Sequence, residues 1–400
     1  MAEADAPGQD NLIVELEEDR YSRLRLIPWW DQERLGRARV MVVGAGALGN
    51  ELLKDLALLG VGRLFICDLD RIENSNLSRS VLFRAADEGK LKAEVAAARV
   101  QELNPEVKAH PFAGNIIYGV GLGVFRAMDV VLCGLDSREA RVAVNDKCWR
   151  VNVPWIDGAI EVLFGVARVF VPPDGACYEC TMNEADYHAL KLRRSCALLS
   201  RSDMLAGKVP TTPTTASVIA GIQVQEAVKL LHPQSQLPVL ASRGFVFNGL
   251  THDSYVVDYP RREDCLGHFT YASVEEQPWR AETLTLAAAL AAGRERLGPE
   301  AVLDFAQEIV VALSCKQCGT QAALFRALGA VSEDEARCPT CSEVRLPETT
   351  HSISGNEPFL DMTLAALGLP LFDIITARAG MEMVHFELSG DRAAALGSLA

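Results

Sequence analysis

RVMVVGAGALGNELLKDLALLG (residues 39–60) and RLFICDLD (63–70) are the stretch whose reading decides the fold. The apolar run 39–43 ends on a glycine and reads as a buried strand. GAGALG, Gly44 to Gly49, follows at once and leads into an apolar-periodic helix. A glycine turn between strand and helix lets backbone N–H groups approach a phosphate, and the helix N-terminus favours its negative charge. The second strand ends at Asp68–Asp70, where Asp68 is placed to bond a ribose hydroxyl. At this point a nicotinamide-dependent oxidoreductase fits as well as any other nucleotide enzyme.

Outward from this stretch the alternation continues. An Ala/Lys/Glu-rich segment, about 88–103, reads as a helix, and MDVVLCGLD (128–136) as another buried strand. The fold class expected is α/β, a Rossmann-like, mostly parallel sheet. ASVIAGIQVQEAVKLL (216–231) reads as a helix capped by the threonines before it, and 244–259 as a strand pair around Asn248–Gly249. Residues 281–400 differ in composition and are expected to form a smaller α+β domain.

Composition limits the partners. The chain carries a net charge of −14 and no long Lys/Arg run, which argues against nucleic acid. No uncharged apolar run reaches about 18 residues, so no membrane span is expected. MAEADAPGQD is acidic and not a signal peptide; residues 1–17 are expected to be disordered and the location cytoplasmic. Six of the eleven cysteines form C-x-x-C pairs, which in this setting point to zinc and not disulfides. Cys315-x2-Cys318-x19-Cys338-x2-Cys341 has zinc-ribbon spacing.

Further residues favour polyphosphate over nicotinamide. Asn76-Leu-Ser-Arg79 follows the acidic strand end, Gly89-Lys-Leu-Lys92 opens the next helix, and Asp136 ends a strand where such sheets bind ligands. Two cations suit phosphates and a carboxylate suits Mg²⁺; hydride transfer needs neither.

With Arg20-Tyr-Ser-Arg23-Leu ahead of them and Cys177-Tyr-Glu-Cys180 after them, these motifs make residues 18–268 resemble the ThiF/MoeB/ubiquitin-activating superfamily. Leu24 and Ser80 stand where that family usually has glutamine, and Ala47 where it has a third glycine. The resemblance implies an adenylation domain over 18–270. In it ATP is held by Gly44, Gly46, Gly49, Asp68, Asp70, Asn76, Arg79 and Lys92, with Mg²⁺ on Asp136. Arg23 would reach the γ-phosphate of the partner protomer in a homodimer. It also implies a second zinc site from Cys177, Cys180, Cys265 and His268, with the histidine replacing a cysteine. Cys196 lies in a loop, about 184–215, at the place of the superfamily's thioester cysteine; nearby Arg193, Arg194 and Arg201 would favour its thiolate. Cys67, Cys133 and Cys148 are expected in the core.

The expected activity is that of a ubiquitin-like-protein activating enzyme: adenylylation of a carrier's C-terminal carboxylate, a thioester on Cys196, then transfer to a conjugating enzyme. A sulfur-carrier adenylyltransferase without the thioester, and a non-catalytic partner subunit, are the alternatives. Ala281-Glu-Thr-Leu-Thr-Leu and Thr363-Leu-Ala-Ala-Leu-Gly-Leu resemble the ubiquitin-fold domain of activating enzymes, with the ribbon at 315–341 as an insertion; a zinc-stabilised docking module is the alternative there.

Overall fold

The computed structural model describes residues 18–187 and 210–400. The N-terminal segment expected to be disordered, and Cys196 with the middle of its loop, lie outside the described residues.

Eight strands form the first sheet in the order β3-β2-β1-β4-β5-β6-β7-β8. The strands are β1 (Arg39–Val43), β2 (Arg63–Cys67), β3 (Lys108–Phe112), β4 (Val130–Cys133), β5 (Trp155–Glu161), β6 (Phe164–Phe170), β7 (Arg243–Asn248) and β8 (Asp253–Asp258). β1 to β5 are parallel; β6, β7 and β8 continue the sheet antiparallel. The continuous apolar runs of β1, β2 and β4 follow from burial on both faces. Val40, Val42, Leu64, Ile66, Val130 and Leu132 enter one core. The alternate residues Met41, Val43, Phe65, Cys67, Val131 and Cys133 enter another.

Helices α2 (Ala47–Leu58), α3 (Lys92–Leu103) and α6 (Pro213–Leu231) cover the first face. Helices α4 (Leu122–Arg126) and α5 (Arg138–Arg150) cover the second, with Trp149, Trp155 and Phe170 fully buried between them and the sheet. Thr212 caps α6 by accepting from the Thr215 N–H, and Pro213 takes the first helical position. α6 thus begins three residues earlier than the sequence pattern indicates. α3 begins later than about 88: Gly89 adopts φ +81°, its N–H bonds the Ile72 carbonyl, and Arg71 pairs with Leu91 before the helix starts.

Residues 275–388 build a second sheet, β11-β10-β13-β14-β9, with β12 on β10. Its strands are β9 (Glu275–Gln277), β10 (Val302–Ser314), β11 (Gln321–Ala327), β12 (Leu346–Ile353), β13 (Ile374–Ala379) and β14 (Glu382–Leu388). Helix α7 (Leu286–Leu297) packs on it. The two Thr-Leu repeats are helix starts: Thr285 caps α7, Thr363 caps the turn Leu364–Leu367, and the two threonines pair in an antiparallel bridge. A strand follows each, β10 and β13. The four ribbon cysteines lie between β10 and β12.

Gly49 tests how tightly the nucleotide turn is packed. A Cβ there would sit 1.8 Å from the Gly44 carbonyl oxygen, whereas one on Gly46 meets nothing within 4 Å. Gly49→Ala should destabilise the protein by about 2 kcal/mol or more, seen as a fall of several degrees in Tm, while Gly46→Ala should leave Tm within about 1 °C. Equal melting temperatures for the two variants would show that the turn relaxes freely.

Candidate functional site

Strand order reverses between β1 and β4, so the loops after them diverge to opposite faces and leave a crevice at their carboxyl ends. The turn after β1 is pressed against the loop after β4. Gly44 adopts φ +90°, and a Cβ on it would lie 2.7 Å from the Gly134 carbonyl oxygen. Gly46 then opens α2 with no side-chain cap, which leaves the first helical N–H groups directed at the crevice.

Asp68 is buried at the end of β2. It accepts from the Ala45 N–H at 2.6 Å and the Asp70 N–H at 2.8 Å, tying the glycine turn to the second strand. Burial pushes its carboxyl above the usual range, opposed by Lys92 and these two N–H groups. Lys92, the first residue of α3, is nearly buried and pairs with Asp70 at 2.9 Å. Asn76 and Arg79 lie on the segment between Asp70 and Lys92. The Asn76 side chain accepts from the Glu73 N–H at 3.0 Å, and the Arg79 guanidinium donates to the Ser75 carbonyl at 2.7 Å. Asp136 is exposed in the loop between β4 and α5. Arg23, also exposed, stands before the 3₁₀ turn Leu24–Leu26. Neither has an ion-pair partner among the described residues. The structure thus brings the glycine turn, Asp68, Asp70 and Lys92 into direct contact and sets Asp136 at the neighbouring strand end; it brings Arg23 to none of them.

Two groups escaped the sequence reading. Asn50, fully buried in α2, donates to the Ala45 and Gly46 carbonyls at 2.7 and 3.0 Å and accepts from the Leu82 N–H at 2.8 Å. It splints the glycine turn to the segment that follows Arg79. Arg141, one turn into α5, donates to the Leu135 carbonyl beside Asp136 and to Asp157 at 2.7 Å. Asp157 is fully buried and shared with Arg168. This Arg–Asp–Arg set holds the Asp136 loop against β5. Asn50 and Arg141 each sit among other polar residues of a helix, so the sequence alone offered no signal that set them apart.

Two cysteine clusters form as expected, each with all four ligand atoms within 4.8 Å of one another. In the first, Cys177 lies 3.6 Å from Cys265 and 3.9 Å from Cys180, and Cys180 lies 3.3 Å from His268 Nε2. In the second, Cys315–Cys341 and Cys318–Cys338 are 3.5 Å apart, and Cys318–Cys341 3.8 Å. Tetrahedral zinc with thiolates requires sulfur separations of about 3.8 Å, far from the roughly 2 Å of a disulfide. Both sets therefore fit zinc. A Cβ on Gly267 would lie 2.7 Å from Glu179 Oε1 and 3.1 Å from Cys177 Sγ, so a larger residue there would crowd the first cluster. Cys67, Cys133 and Cys148 are buried, and burial pushes all three thiols up. Cys196 lies outside the described residues. Among the described residues no helix is long and apolar enough to cross a membrane.

The ThiF family matches residues 19–267. A SAMP-activating enzyme E1 of Haloferax volcanii is 35% identical over 256 residues, 62% of this chain and 87% of that one. A sulfur carrier protein adenylyltransferase of Thermus thermophilus is 40% identical over 170 residues, 40% of this chain and 63% of that one. A NEDD8-activating enzyme E1 catalytic subunit of Caenorhabditis elegans is 38% identical over 177 residues, 39% of this chain and 40% of that one. The chain thus spans most of the first relative and less than two thirds of the other two. The crystal structure of E. coli MccB with ATP superposes with TM-score 0.52 and 26% identity, covering 64% of this chain and 75% of that one.

Metal analysis of the purified chain should return two zinc ions. Cys338→Ser and Cys177→Ser should each lower this to one, with Cys177→Ser costing more Tm because its cluster joins segments 88 residues apart and packs into the main core. One zinc in the wild type, lost on Cys338→Ser, would remove the Cys265/His268 set as a site.

Proposed function

The chain belongs to the ThiF family, and on that premise we propose that it uses ATP to adenylylate the C-terminal carboxylate of a ubiquitin-like or sulfur-carrier protein. The observation that supports this reading is the contact of the Gly44–Gly49 turn with Asp68, of Asp68 with Asp70 and of Asp70 with Lys92, beside a strand end that leads to Asp136. Similarity to MccB, crystallised with ATP, supports the nucleotide.

In the proposed reaction Asp68 holds the ribose, while Asn76, Arg79 and Lys92 hold the phosphates. Asp136 would hold Mg²⁺, which shields the charge of the triphosphate. The carrier's carboxylate is already ionised, so it needs no side-chain base. It forms a bond to the α-phosphorus as the bond to pyrophosphate breaks, and the site's task is to neutralise charge and keep the oxygens in line. Arg23 would be supplied by the partner protomer of a homodimer; its exposure, with no ion-pair partner among the described residues, leaves it available for that.

The finer proposal is a relay. The acyl-adenylate would pass its acyl group to the Cys196 thiolate with release of AMP, and a conjugating enzyme would receive it. The activating-enzyme relatives support this, and the buried state of Cys67, Cys133 and Cys148 leaves them poor competitors as nucleophiles. The Thermus relative supports the second reading, a sulfur-carrier adenylyltransferase without the thioester.

With ATP, Mg²⁺ and the carrier, labelled pyrophosphate should exchange into ATP. Asp136→Ala and Arg79→Ala should each lower exchange by about 10²-fold or more. NAD reduction without exchange would refute the reading.

Action of Arg23 in trans predicts that mixed Arg23→Ala and Asp136→Ala chains recover partial activity, through the one site per heterodimer that has both groups. No recovery despite subunit exchange would place Arg23 outside the site.

A carrier adduct on a non-reducing gel, dissolved by thiol and absent in Cys196→Ala while exchange persists, is the outcome expected of the relay. Exchange with no adduct in the wild type would assign the sulfur-carrier function instead.

A further inference from the structure

Gly119-Val-Gly121-Leu-Gly123 opens α4, and its spacing has no role in the nucleotide crevice. The second sheet explains it. A Cβ on Gly121 would lie 2.4 Å from the Leu371 carbonyl oxygen, and one on Gly123 2.5 Å from that of Phe372. The Gly123 N–H bonds the Phe372 carbonyl at 2.9 Å. The Leu122 N–H bonds Asp373 Oδ1 at 2.8 Å. α4 has no side-chain cap of its own, so Asp373 caps it from across the chain. Phe372 is fully buried in the core of the first sheet yet holds φ +53°, a conformation a bulky residue adopts only where its surroundings impose it. The fully buried end of the Lys147 side chain, in the last turn of α5, donates to the Val120 carbonyl at 2.5 Å and feels the Asp373 charge. Around this seam Glu387 of β14, fully buried, takes Arg126 at 2.7 Å and Arg392 at 3.2 Å.

We propose that Leu371–Asp373 is a plug seated in the Val120–Gly123 turn, fixing the second sheet on α4 and α5 so that α5 carries Asp136 in register. Phe372, Asp373 and Lys147 are then positioning residues. The claim about Asp136 rests on the adenylation reading; the claim about the plug does not. α5 runs without interruption from Arg138, beside Asp136, to Arg150 at the seam. A helix of this length is a rigid lever of about 20 Å. The second sheet would thus present anything bound to it at a fixed distance from the crevice.

Two substitutions unseat the plug from opposite sides. Gly123→Ala forces a methyl group into the Phe372 carbonyl, and Asp373→Ala removes the cap. Asp373→Asn keeps an acceptor for the Leu122 N–H and serves as the conservative rescue. In the full chain, Gly123→Ala and Asp373→Ala should speed tryptic cleavage at Arg261–Arg280 and lower kcat of pyrophosphate exchange about tenfold, with KM for ATP within about twofold. Asp373→Asn, which keeps the cap but removes the charge near Lys147, should lie closer to the wild type than Asp373→Ala in both. Rapid cleavage with unchanged kcat would overturn the positioning claim; unchanged cleavage and kcat would overturn the plug. Should the variants not fold, amide exchange in the wild type still decides: Leu122 and Gly123 should be protected as well as the centre of α5, and fast exchange there would refute the plug. A wild type that never exchanges pyrophosphate would refute the adenylation reading, while cleavage and amide protection still judge the plug.

Discussion

Contact between the backbones of Gly44 and Gly134 is the constraint on which the rest depends. Neither the turn after β1 nor the loop after β4 has room for a side chain at that point. The two strand ends therefore close on each other, and the crevice begins just beyond them. Gly49 brings α2 down onto the same turn, so its first N–H groups converge on the crevice. Asp68 and Asn50 lock the remaining freedom, each by accepting or donating to the backbone of the turn. The site is a rigid backbone surface first and a set of side chains second, which suits a ligand recognised through its phosphates.

That rigidity is supplied from both faces of one sheet. α2, α3 and α6 press on one side, and α4, α5, the first cysteine cluster and the second sheet press on the other. The cysteine cluster is part of this packing. Cys177 and Cys180 lie in the same core as Trp155 and Phe170, and the His268 ring lies against Trp149 of α5 at 5.3 Å. Joining points 88 residues apart costs on the order of 4 kcal/mol in loop closure, a cost that a metal bound to four ligands offsets comfortably. The second cluster differs. Two of its cysteines are exposed and its small apolar cluster is separate, so it stiffens only the arm formed by β10, β11 and β12.

Much of this was legible before any coordinates, and the reason is locality. A glycine turn, a Thr cap one residue before a proline, and C-x-x-C spacing are properties of a few adjacent residues, so the chain displays them directly. α6, the parallel strands and the ribbon cysteines belong to this class, whereas the Cys177/Cys180/Cys265/His268 set joins residues 88 apart and came only with the family resemblance. What stayed hidden depends on residues brought together from afar. Arg141 and Arg168 look like solvated charges until Asp157 stands between them. The glycines at 121 and 123 look like a loose turn until Phe372, some 250 residues later, fills the space they leave. Leu91 and Gly89 read as helix by composition, but pairing across Arg71 overrode that preference.

The charge balance in the crevice carries the synthesis one step further. Lys92 is held by Asp70, Arg79 by a carbonyl, and Arg141 is committed to Asp157. Of these, only Arg79 has no carboxylate partner among the described residues. A triphosphate entering the crevice would therefore draw Lys92 partly away from Asp70, whose own N–H bonds Asp68, two residues before it. Bringing two carboxylates and a polyphosphate together is unfavourable unless a further cation arrives with the nucleotide. In the proposed site, Mg²⁺ on Asp136, exposed and without an ion-pair partner among the described residues, would supply that charge, and Arg23 of a second protomer would add the rest. On the proposed reading, nucleotide, metal and partner would each offset a repulsion that the others create, so their binding would be cooperative.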